Sequence, residues 1–419
     1  MQLQVQTVLN RVHRFKSFVY SDVRFIERGK EVRIEATIEA RRNAKSRCPI
    51  CHETRPRYDR QNTRCFEFIP LWGIAVFFLY APWRVNCPEH RVLVEAMPWS
   101  QGKFSMTRAL MCFLASWAKR LSWWETAKAF GSSWDKVRVS VQWVVEWGLA
   151  HRALQCVEAI GIDEVAWRKG HKYLTLVYDI SAGTRRLLWI GDDRRRATIN
   201  GFFEWFGKDR CQRLRFVCTD MWKPYLRAIQ KYAAKALNIL DRFHIAAHLN
   251  KALDETRRKE AAAYRKRGNK IILKHARWSL LKRVSHLTER QAVRLKELPN
   301  LTLRTTRAYL INENFDQFWR YSMPFWADRF LAAWCDRAMR SRIEPLKKVA
   351  LMLRKHQPLI LNYFHAKKQY NSGVIEGLNN KVRVVTKRAY GYRKLEVIKI
   401  ALYHALGDLP SPPTTHRFF

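Results

Sequence analysis

At 419 residues, the chain is long enough for several domains that each bury a hydrophobic core. Its 78 lysines and arginines far exceed its 36 acidic residues, and the formal net charge is +42. Such an excess of one sign indicates a polyanionic partner, and nucleic acid is favoured over an anionic membrane surface. An aromatic content of 13% excludes a disordered basic tail.

The sequence carries no sign of a membrane or secreted protein. No segment has the ~20 consecutive apolar residues that are needed to span a bilayer. Arg11, Arg14 and Lys16 interrupt the region where a signal peptide would be apolar. Nine cysteines, an odd number, favour reduced thiols over a disulfide framework. We therefore expect a cytoplasmic, nucleoid-associated protein without membrane contact.

Residues 1–100 predict a β-rich N-terminal domain that binds zinc. Alternating apolar residues between Val32 and Ile38 are typical of a strand. Two ligand pairs of the forms C-x2-C and C-x2-H lie in this region: Cys48, Cys51, Cys87 and His90. Each pair fits a tight turn, so the four side chains can bind one structural Zn²⁺ and stabilise a small sheet formed by Arg57–Arg84. Free cysteines and an unrelated histidine are the weaker alternative, because such paired spacings are specific.

Residues 101–150 predict a helix-turn-helix domain. Three helical segments follow one another: Thr107–Lys119, Trp123–Phe130 and Trp134–Leu149. Ser122 and Ser133 are suited to cap the second and third helices. A short helix, a tight turn and a longer helix place the last helix in the DNA major groove. The candidate DNA contacts on that helix are Lys136, Arg138 and Gln142. A plain helical bundle explains the pattern equally well.

Residues 151–250 predict the first part of a catalytic domain. The predicted order of elements is β-β-β-α-β-α-β, which is the ribonuclease-H-like arrangement. The first strand, Val157–Asp163, ends in an aspartate. The fourth strand also ends in an aspartate, Asp220, and a late helix carries Glu376. Together these three carboxylates can hold a pair of divalent ions roughly 4 Å apart for in-line phosphodiester cleavage. Mg²⁺ and Mn²⁺ prefer such hard oxygen ligands.

Each acid taken alone is more simply explained as a turn or helix cap, so the prediction depends on all three together. Asp179 is predicted at the opposite end of a hairpin from Asp163, and Glu164 on the opposite face of the strand. His244 is a candidate for protonating a leaving group or positioning a phosphate. A core histidine, or one at a helix start, is an equal alternative.

The remaining residues predict three further segments. Residues 251–365 are all-helical, residues 366–409 complete the catalytic domain with the glutamate helix, and residues 410–419 form a loose tail. One basic helical face in the insertion is a candidate surface for following a phosphate backbone: Lys270, Lys274 and Arg277. A solvated helix face is the alternative, but few acids lie between these cations.

Several blocks of the sequence resemble the ISL-three family of bacterial insertion-sequence transposases. Gly161–Thr175 is similar to the first-aspartate block of that family, Thr219–Tyr225 to its second block and Leu240–His244 to the next. Asn371–Lys381 followed by Lys387–Arg393 is similar to its glutamate block. The ligand pairs and the three predicted helices fall where the family carries them, so the resemblance covers nearly the whole chain.

The resemblance implies a DDE transposase in which Asp163, Asp220 and Glu376 hold the catalytic ions. A helical insertion before the glutamate helix would account for the 156 residues that separate the last two acids. Arg388 and Arg393, in the glutamate block, are further candidates for DNA contact. In the family, the fourth zinc ligand is more often a cysteine than a histidine such as His90. A Cys3His site is nevertheless chemically sound.

The sequence therefore predicts a transposase that binds the terminal inverted repeats of its own element. It would cut there with Mg²⁺- or Mn²⁺-activated water and join the freed 3′-hydroxyl to target DNA. Double-stranded DNA is the expected partner, and concerted action at two ends predicts a homodimer or larger assembly. The alternatives are a zinc-containing transcriptional regulator, which would not need Glu376 near the aspartates, and a structure-specific nuclease without strand transfer.

Overall fold

The computed structural model describes residues 4–29, 31–168, 170, 172–267, 280, 288–289, 304–370, 372–389 and 391–413. The protein is a mixed α+β molecule whose elements fall into two compact units. The first unit contains the residues up to Ala153 and those from Arg383 onward, and the second contains Leu154–Val382. Among the described residues, no helix combines the length and apolar character that a membrane span requires.

The first unit begins with one helix and two β-sheets, so its β-rich region opens with a helix that the sequence did not predict. The elements are α1 (Val5–Val12), β1 (Phe18–Arg28), β2 (Glu31–Ala40), β3 (Arg57–Arg60), β4 (Arg64–Leu71), β5 (Ile74–Tyr80), β6 (Trp83–Cys87) and β7 (Arg91–Val94). One sheet has the strand order β1-β2-β5-β4, and the other has the order β3-β6-β7.

The segment between the two cysteine-containing pairs divides between these sheets, so the prediction of one small sheet for Arg57–Arg84 was wrong. β4 and β5 form a hairpin, but β5 also pairs in parallel with β2. The hairpin joins the larger sheet because its alternate residues, such as Phe66 and Phe78, are fully buried in one core with Ile34 and Tyr20. Of the strands that begin in this segment, β3 and β6 pair in the smaller sheet beside the cysteines.

Three helices follow in the first unit, close to the predicted bounds: α2 (Arg108–Ala118), α3 (Trp123–Ala129) and α4 (Trp134–His151). Both predicted caps are confirmed. The Ser122 side chain accepts a hydrogen bond from the Glu125 backbone amide in a capping box, and Ser133 caps α4. Gly131, in the turn between α3 and α4, has a φ of 59°, a conformation in which glycine is least strained.

The second unit is built on a five-stranded sheet. Its elements are β8 (Ala159–Arg168), β9 (Lys172–Asp179), β10 (Arg186–Gly191), α5 (Arg196–Phe206), α6 (Lys208–Arg213), β11 (Phe216–Thr219), α7 (Lys223–Tyr232) and β12 (Leu237–Leu240). The predicted order of strands and helices is confirmed, with α6 as an additional short helix. The strands lie in the order β10-β9-β8-β11-β12. β8, β9 and β10 are antiparallel neighbours, whereas β11 pairs in parallel with both β8 and β12.

One face of this sheet carries the main core of the unit. Ile160, Ile162 and Val217 on the strands pack with Phe202 and Phe206 of α5, all nearly or fully buried. Because side chains alternate along a strand, Gly161 and Asp163 of β8 project to the opposite face. The strand register therefore determines which residues are free to form a site there.

The rest of the described chain is helical, as predicted for the insertion. The helices are α8 (Arg242–Lys266), α9 (Arg304–Phe315), α10 (Pro324–Arg340), α11 (Glu344–Lys355), α12 (Gln357–His365), α13 (Ser372–Arg388) and α14 (Leu395–Leu406). α8 runs without a break across the predicted domain boundary at residue 250. The predicted basic residues Lys270, Lys274 and Arg277 lie outside the described residues.

The helix α13 contributes to both units. Its residues up to Val382 belong to the second unit, and those from Arg383 onward belong to the first, so this grouping divides the predicted 366–409 segment. Within the first unit, Ala401 of α14 is buried in one core with Leu110 of α2 and Val141 of α4.

Candidate active site and metal centre

Three aspartates lie side by side at one edge of the five-stranded sheet. β11 pairs in parallel with β8, with Cys218 opposite Gly161, and with β12, with Thr219 opposite Leu240. When both registers are continued beyond these pairs, three residues fall at the same level on neighbouring strands: Asp163, Asp220 and Asp241. Neighbouring strands are about 4.8 Å apart, so the carboxylates of adjacent members can share a cation.

The first strand does not end at Asp163, as the sequence predicted, but continues for five residues to Arg168. This part of β8 stays in the hairpin with β9, where Asp163 lies opposite Leu176 and Arg168 lies opposite Lys172. The parallel pairing with β11 stops earlier, at Gly161. Asp163 is therefore inside an antiparallel hairpin yet just beyond the parallel part of the sheet.

Asp163 accepts one hydrogen bond on each carboxylate oxygen. The Glu164 backbone amide donates to Oδ1 over 2.8 Å, and the Asn379 side-chain amide donates to Oδ2 over 2.6 Å. Each oxygen has two lone pairs, so each keeps one that a cation can use. Burial raises the pKa of Asp163, while the Glu164 amide, the charge of His244 and the Asn379 amide oppose that rise.

Asp220 is held differently, by a backbone amide and a cation. The Trp222 amide donates to Oδ1 over 2.9 Å, and Arg194 Nη2 lies 3.6 Å from Oδ2. The same guanidinium lies over the Trp222 ring and forms an ion pair with Glu164 at 3.0 Å. Glu164 also accepts a hydrogen bond from the Tyr225 hydroxyl, and burial raises its pKa. As predicted, Glu164 lies on the opposite face of β8 from Asp163.

Glu376 lies on α13, which packs closely against β8. A Cβ atom at Gly161 would lie 2.6 Å from Ile375 Cδ1, so any larger residue there would force the Ile375 side chain or α13 to shift. Asn379, three residues after Glu376, reaches Asp163. Residues three apart share one face of a helix, so Glu376 is on the face of α13 that contacts Asp163. Its side chain is exposed and is therefore accessible to a cation.

Two histidines follow the third aspartate on the first turns of α8. His244 Nε2 lies 3.7 Å from Asp241 Oδ2, and its charge acts on Asp163. His248 is one helical turn further along; burial lowers its pKa, as do the charges of His244 and Lys251, whereas the charge of Asp220 opposes this effect. The predicted candidate His244 is thus beside the aspartates.

Three residues of this site escaped sequence reasoning: Arg194, His248 and Asn379. Two of them carried a usable signal. His248 lies four residues after His244, and Asn379 lies three residues after Glu376, so helical periodicity alone would have put each on the functional face. Arg194 precedes α5 in a polar loop, and nothing in its local sequence indicates that it reaches Glu164.

Comparison with known proteins identifies the family. Residues 160–402, more than half of the chain, match the family of ISL-three proteins described as transposases. The chain belongs to the ISL-three family of insertion-sequence transposases. It is 29% identical over 357 residues to the transposase for insertion sequence element IS1001 of Bordetella parapertussis, with 84% of each chain covered. It is 28% identical over 433 residues to the transposase for insertion sequence element IS1557 of Mycobacterium tuberculosis, with 96% of each covered.

In the first unit of this ISL-three transposase, the four predicted zinc ligands lie close together. The ligand atoms of Cys48, Cys51, Cys87 and His90 all lie within 4.8 Å of one another. Cys51 Sγ is 3.9 Å from Cys87 Sγ, and Cys87 Sγ is 3.5 Å from His90 Nδ1. A tetrahedral ion with Zn–S bonds of about 2.3 Å requires sulfur atoms about 3.8 Å apart, so the donor set fits zinc.

The backbone around these ligands is shaped alike at both pairs. The residue after each second ligand, His52 in one pair and Arg91 in the other, has a positive φ of about 60°. Such residues turn the chain so that both ligands of a pair face the same point. A backbone hydrogen bond at Glu53 lowers the pKa of the Cys51 thiol, and the Arg55 guanidinium adds to this effect, which favours the metal-binding thiolate.

The candidate DNA-contact residues of the first unit are in different environments. Lys136 forms an ion pair with Glu67 of β4. Arg138 and Gln142 form a ladder on α4, in which Arg138 Nη1 donates to Gln142 Oε1 over 3.1 Å. Arg388 Nη1 lies 3.4 Å from the Lys119 carbonyl oxygen, and Arg393 is exposed. Arg138 also forms an ion pair with Asp135 at 3.5 Å, and Gln142 donates to Glu146 over 2.8 Å, so both candidates contact side chains of α4 itself.

Proposed function

We propose that this ISL-three transposase cleaves the ends of its insertion sequence and joins them to target DNA. The catalytic residues of the proposal are Asp163, Asp220 and Glu376, on a ribonuclease-H-like sheet. The observation that carries it is the parallel register of β8 and β11, which aligns the two aspartates at one sheet edge. The Asn379–Asp163 hydrogen bond supports the third member, because it brings the helix of Glu376 to the same edge.

The donor set fits Mg²⁺ or Mn²⁺, since all three groups are hard anionic oxygens. When bound, a pair of such ions would activate the attacking oxygen and stabilise the leaving oxygen of an in-line displacement. Asp163, Asp220 and Glu376 would hold these ions. Each Asp163 oxygen has a second lone pair beyond the one that accepts its hydrogen bond.

His244 would act on the phosphate itself. It lies beside Asp241 and is close enough to Asp163 to influence the charge on that carboxylate. We propose that His244 either donates a proton to the leaving oxygen or donates a hydrogen bond to the scissile phosphate. An imidazole is suited to both roles.

The first unit would recognise the terminal inverted repeats. Its three helices have the order of a helix-turn-helix, with α4 as the helix that enters the major groove. Arg138 and Gln142 on that helix are proposed to contact bases, while Arg388 and Arg393 would contact phosphates. A structural zinc ion on the Cys3His cluster would stabilise the small sheet of the same unit. Processing two ends together requires at least a dimer on DNA.

The test is Asp220→Asn, assayed with labelled end DNA, a target plasmid and Mg²⁺ or Mn²⁺. We expect end binding to persist while cleavage and joining are lost, because the amide removes one anionic ligand without changing the shape of the side chain. Asp209→Asn, at an exposed position on α6 of the same unit, is the matched control and should retain both reactions. Retained cleavage in Asp220→Asn would overturn the proposal, and cleavage without joining in the wild-type protein would indicate a nuclease instead.

A further inference from the structure

A hydrogen-bonded chain of three side chains, two of them buried, connects the sheet to the glutamate helix. The Tyr178 hydroxyl of β9 donates to Asn379 Oδ1 over 2.7 Å, and Asn379 Nδ2 donates to Asp163 Oδ2 over 2.6 Å. Tyr178 is fully buried and Asn379 is 5% exposed, so water does not compete for the bond between them, whereas the bond to Asp163 is partly buried. Two polar side chains are thus buried behind one carboxylate.

The chemistry of the amide fixes the direction of this chain. Asn379 Oδ1 accepts hydrogen bonds only, so the Tyr178 hydroxyl must donate to it. The amide nitrogen then faces Asp163. In the flipped orientation the amide oxygen would face a carboxylate oxygen, and two buried acceptors in contact are strongly unfavourable. The Asp163 carboxylate, which only accepts, therefore fixes which way the amide faces, and the Tyr178 hydroxyl holds Asn379 in that orientation by donating to its Oδ1.

We propose that Asn379, oriented by Tyr178, is a positioning residue that holds the Asp163 carboxylate ready for divalent cations. This inference rests on the proposed function of Asp163 as a metal ligand. The amide occupies one lone pair of Oδ2 and the Glu164 backbone amide occupies one of Oδ1, so both oxygens present their remaining lone pairs in fixed directions. Partners of this kind orient metal ligands and are costly to remove.

The position of Asn379 on α13 gives the network a second effect. Glu376 is on the same face of that helix, one turn away. The hydrogen bond to Asp163 therefore also holds the third carboxylate of the proposed site at the sheet edge. Within the part of the chain that the structure describes, Asp220 contacts Trp222 and Arg194 rather than α13.

The experiment measures Mn²⁺ binding to the full-length protein without DNA, by electron paramagnetic resonance of free Mn²⁺, in three variants. Asn379→Leu keeps the size of the side chain but removes both hydrogen bonds, and we expect Mn²⁺ affinity to fall about tenfold. Tyr178→Phe removes only the orienting hydroxyl and should lower affinity several-fold. Because Tyr178 acts through Asn379, the double variant should bind Mn²⁺ no more weakly than Asn379→Leu alone.

Cleavage supplies a second readout. The Mg²⁺ concentration for half-maximal cleavage should rise by the same factors, and added Mg²⁺ should restore part of the lost cleavage. Tyr20→Phe is the matched control. Tyr20 is also a buried tyrosine with a hydrogen-bonded hydroxyl, 2.6 Å from His13, but it lies in the first unit. It should leave Mn²⁺ binding unchanged whatever it does to stability.

The outcomes separate this inference from the proposed function. If Asp163→Asn abolishes Mn²⁺ binding while folded Asn379→Leu and Tyr178→Phe bind like the wild-type protein, the positioning role is overturned and the proposed metal site stands. The positioning role would also be overturned if the losses of Mn²⁺ affinity multiplied in the double variant, because Tyr178 would then act independently of Asn379. If Asn379→Leu does not fold, Tyr178→Phe decides alone. Wild-type protein that binds no Mn²⁺ would overturn both proposals.

Discussion

At the scale of single residues, Gly161 determines how closely the glutamate helix approaches the sheet. It precedes Asp163 by two residues on the same face of β8, and its missing side chain is the space that Ile375 fills. A close approach of this kind is one of the few reasons for glycine inside a strand. The contact links the strand of the first acid directly to the helix of the third.

We predict that Gly161→Ala weakens both folding and cleavage. The added methyl group would overlap Ile375 Cγ1 and Cδ1, and overpacking of this kind costs about 1–3 kcal/mol of unfolding free energy. Displacement of α13 would move Asn379 and Glu376 away from Asp163, so cleavage should fall more than end binding does. Urea unfolding and a cleavage assay measure the two effects.

Gly201→Ala is the control for this change. Gly201 lies inside α5 with no atom in the way of a Cβ, so alanine there should stabilise the protein by roughly 0.5–1 kcal/mol and leave cleavage intact. Ile375→Ala combined with Gly161→Ala should recover part of the lost cleavage. A Gly161→Ala protein with wild-type stability and cleavage would contradict the close-packing argument.

The alignment of Asp163 and Asp220 at one sheet edge was predictable from the sequence, whereas the hydrogen-bond partners of these two acids mostly were not. Asp163 and Asp220 follow apolar runs with a strand period, and that local pattern is visible in one chain. The partners of these acids depend on tertiary contacts, such as the bond from Asn379 across 216 residues to Asp163. Strand ends were also hard to predict, because Val165 and its neighbours continue the hairpin after the parallel pairing has stopped.

At the scale of elements, helix bounds were more predictable than sheet membership. Ser122 and Ser133 mark the starts of α3 and α4 through local hydrogen bonds, so the sequence carries the information within a few residues. The assignment of β4 and β5 to a sheet depends on the parallel pairing of β5 with β2, some forty residues earlier. No local pattern specifies such a pairing.

That division of strands leaves the β3-β6-β7 sheet with little core of its own. Its strands have four, five and four residues, and its buried apolar cluster consists of Cys48, Val85 and Cys87. So small a core cannot offset the conformational entropy of folding, and a metal is the usual remedy. The four-stranded sheet, with its larger core of aromatic side chains, has no such need.

We therefore predict one zinc ion per chain, and that Cys51→Ser or a strong chelator removes it and unfolds the three-stranded sheet. Zinc content by elemental analysis and thermal unfolding would measure this, with a loss of stability confined to the first unit. Cys65→Ser is the matched control, since Cys65 is exposed and is not a member of the Cys3His cluster. Unchanged thermal unfolding after complete zinc removal would show that the metal is not structural.

At the scale of the whole molecule, the net charge of +42 predicts strong attraction to DNA, the substrate that the proposed function requires. Cations that neutralise phosphates release counterions, so affinity for any duplex falls steeply as salt rises. Charge of this kind attracts DNA but does not distinguish one sequence from another. Under the proposed function, selection of the inverted repeats would come from a few side chains that reach base edges, and Arg138 and Gln142 of α4 are the candidates.

We predict that these two contributions separate in a salt titration. Wild-type affinity for random duplex and for end DNA should both fall by about 10³-fold or more between about 50 and 200 mM salt, if six or more phosphates are contacted. The ratio of the two affinities should change little. Arg138→Gln should lower that ratio by an amount that corresponds to about 1–3 kcal/mol of binding free energy. The dependence of affinity on salt should not change, because the proposed contact of Arg138 is with a base.

Lys136→Gln provides the contrast on the same helix. Lys136 is already paired with Glu67, so its loss should alter neither the ratio nor the slope appreciably. If Arg138→Gln instead reduced the slope of log affinity against log salt concentration by about 0.9, Arg138 would contact a phosphate rather than a base. A ratio near one in the wild-type protein would mean that recognition of the ends does not reside in a single chain, and that the assembled dimer on two ends is the unit that discriminates.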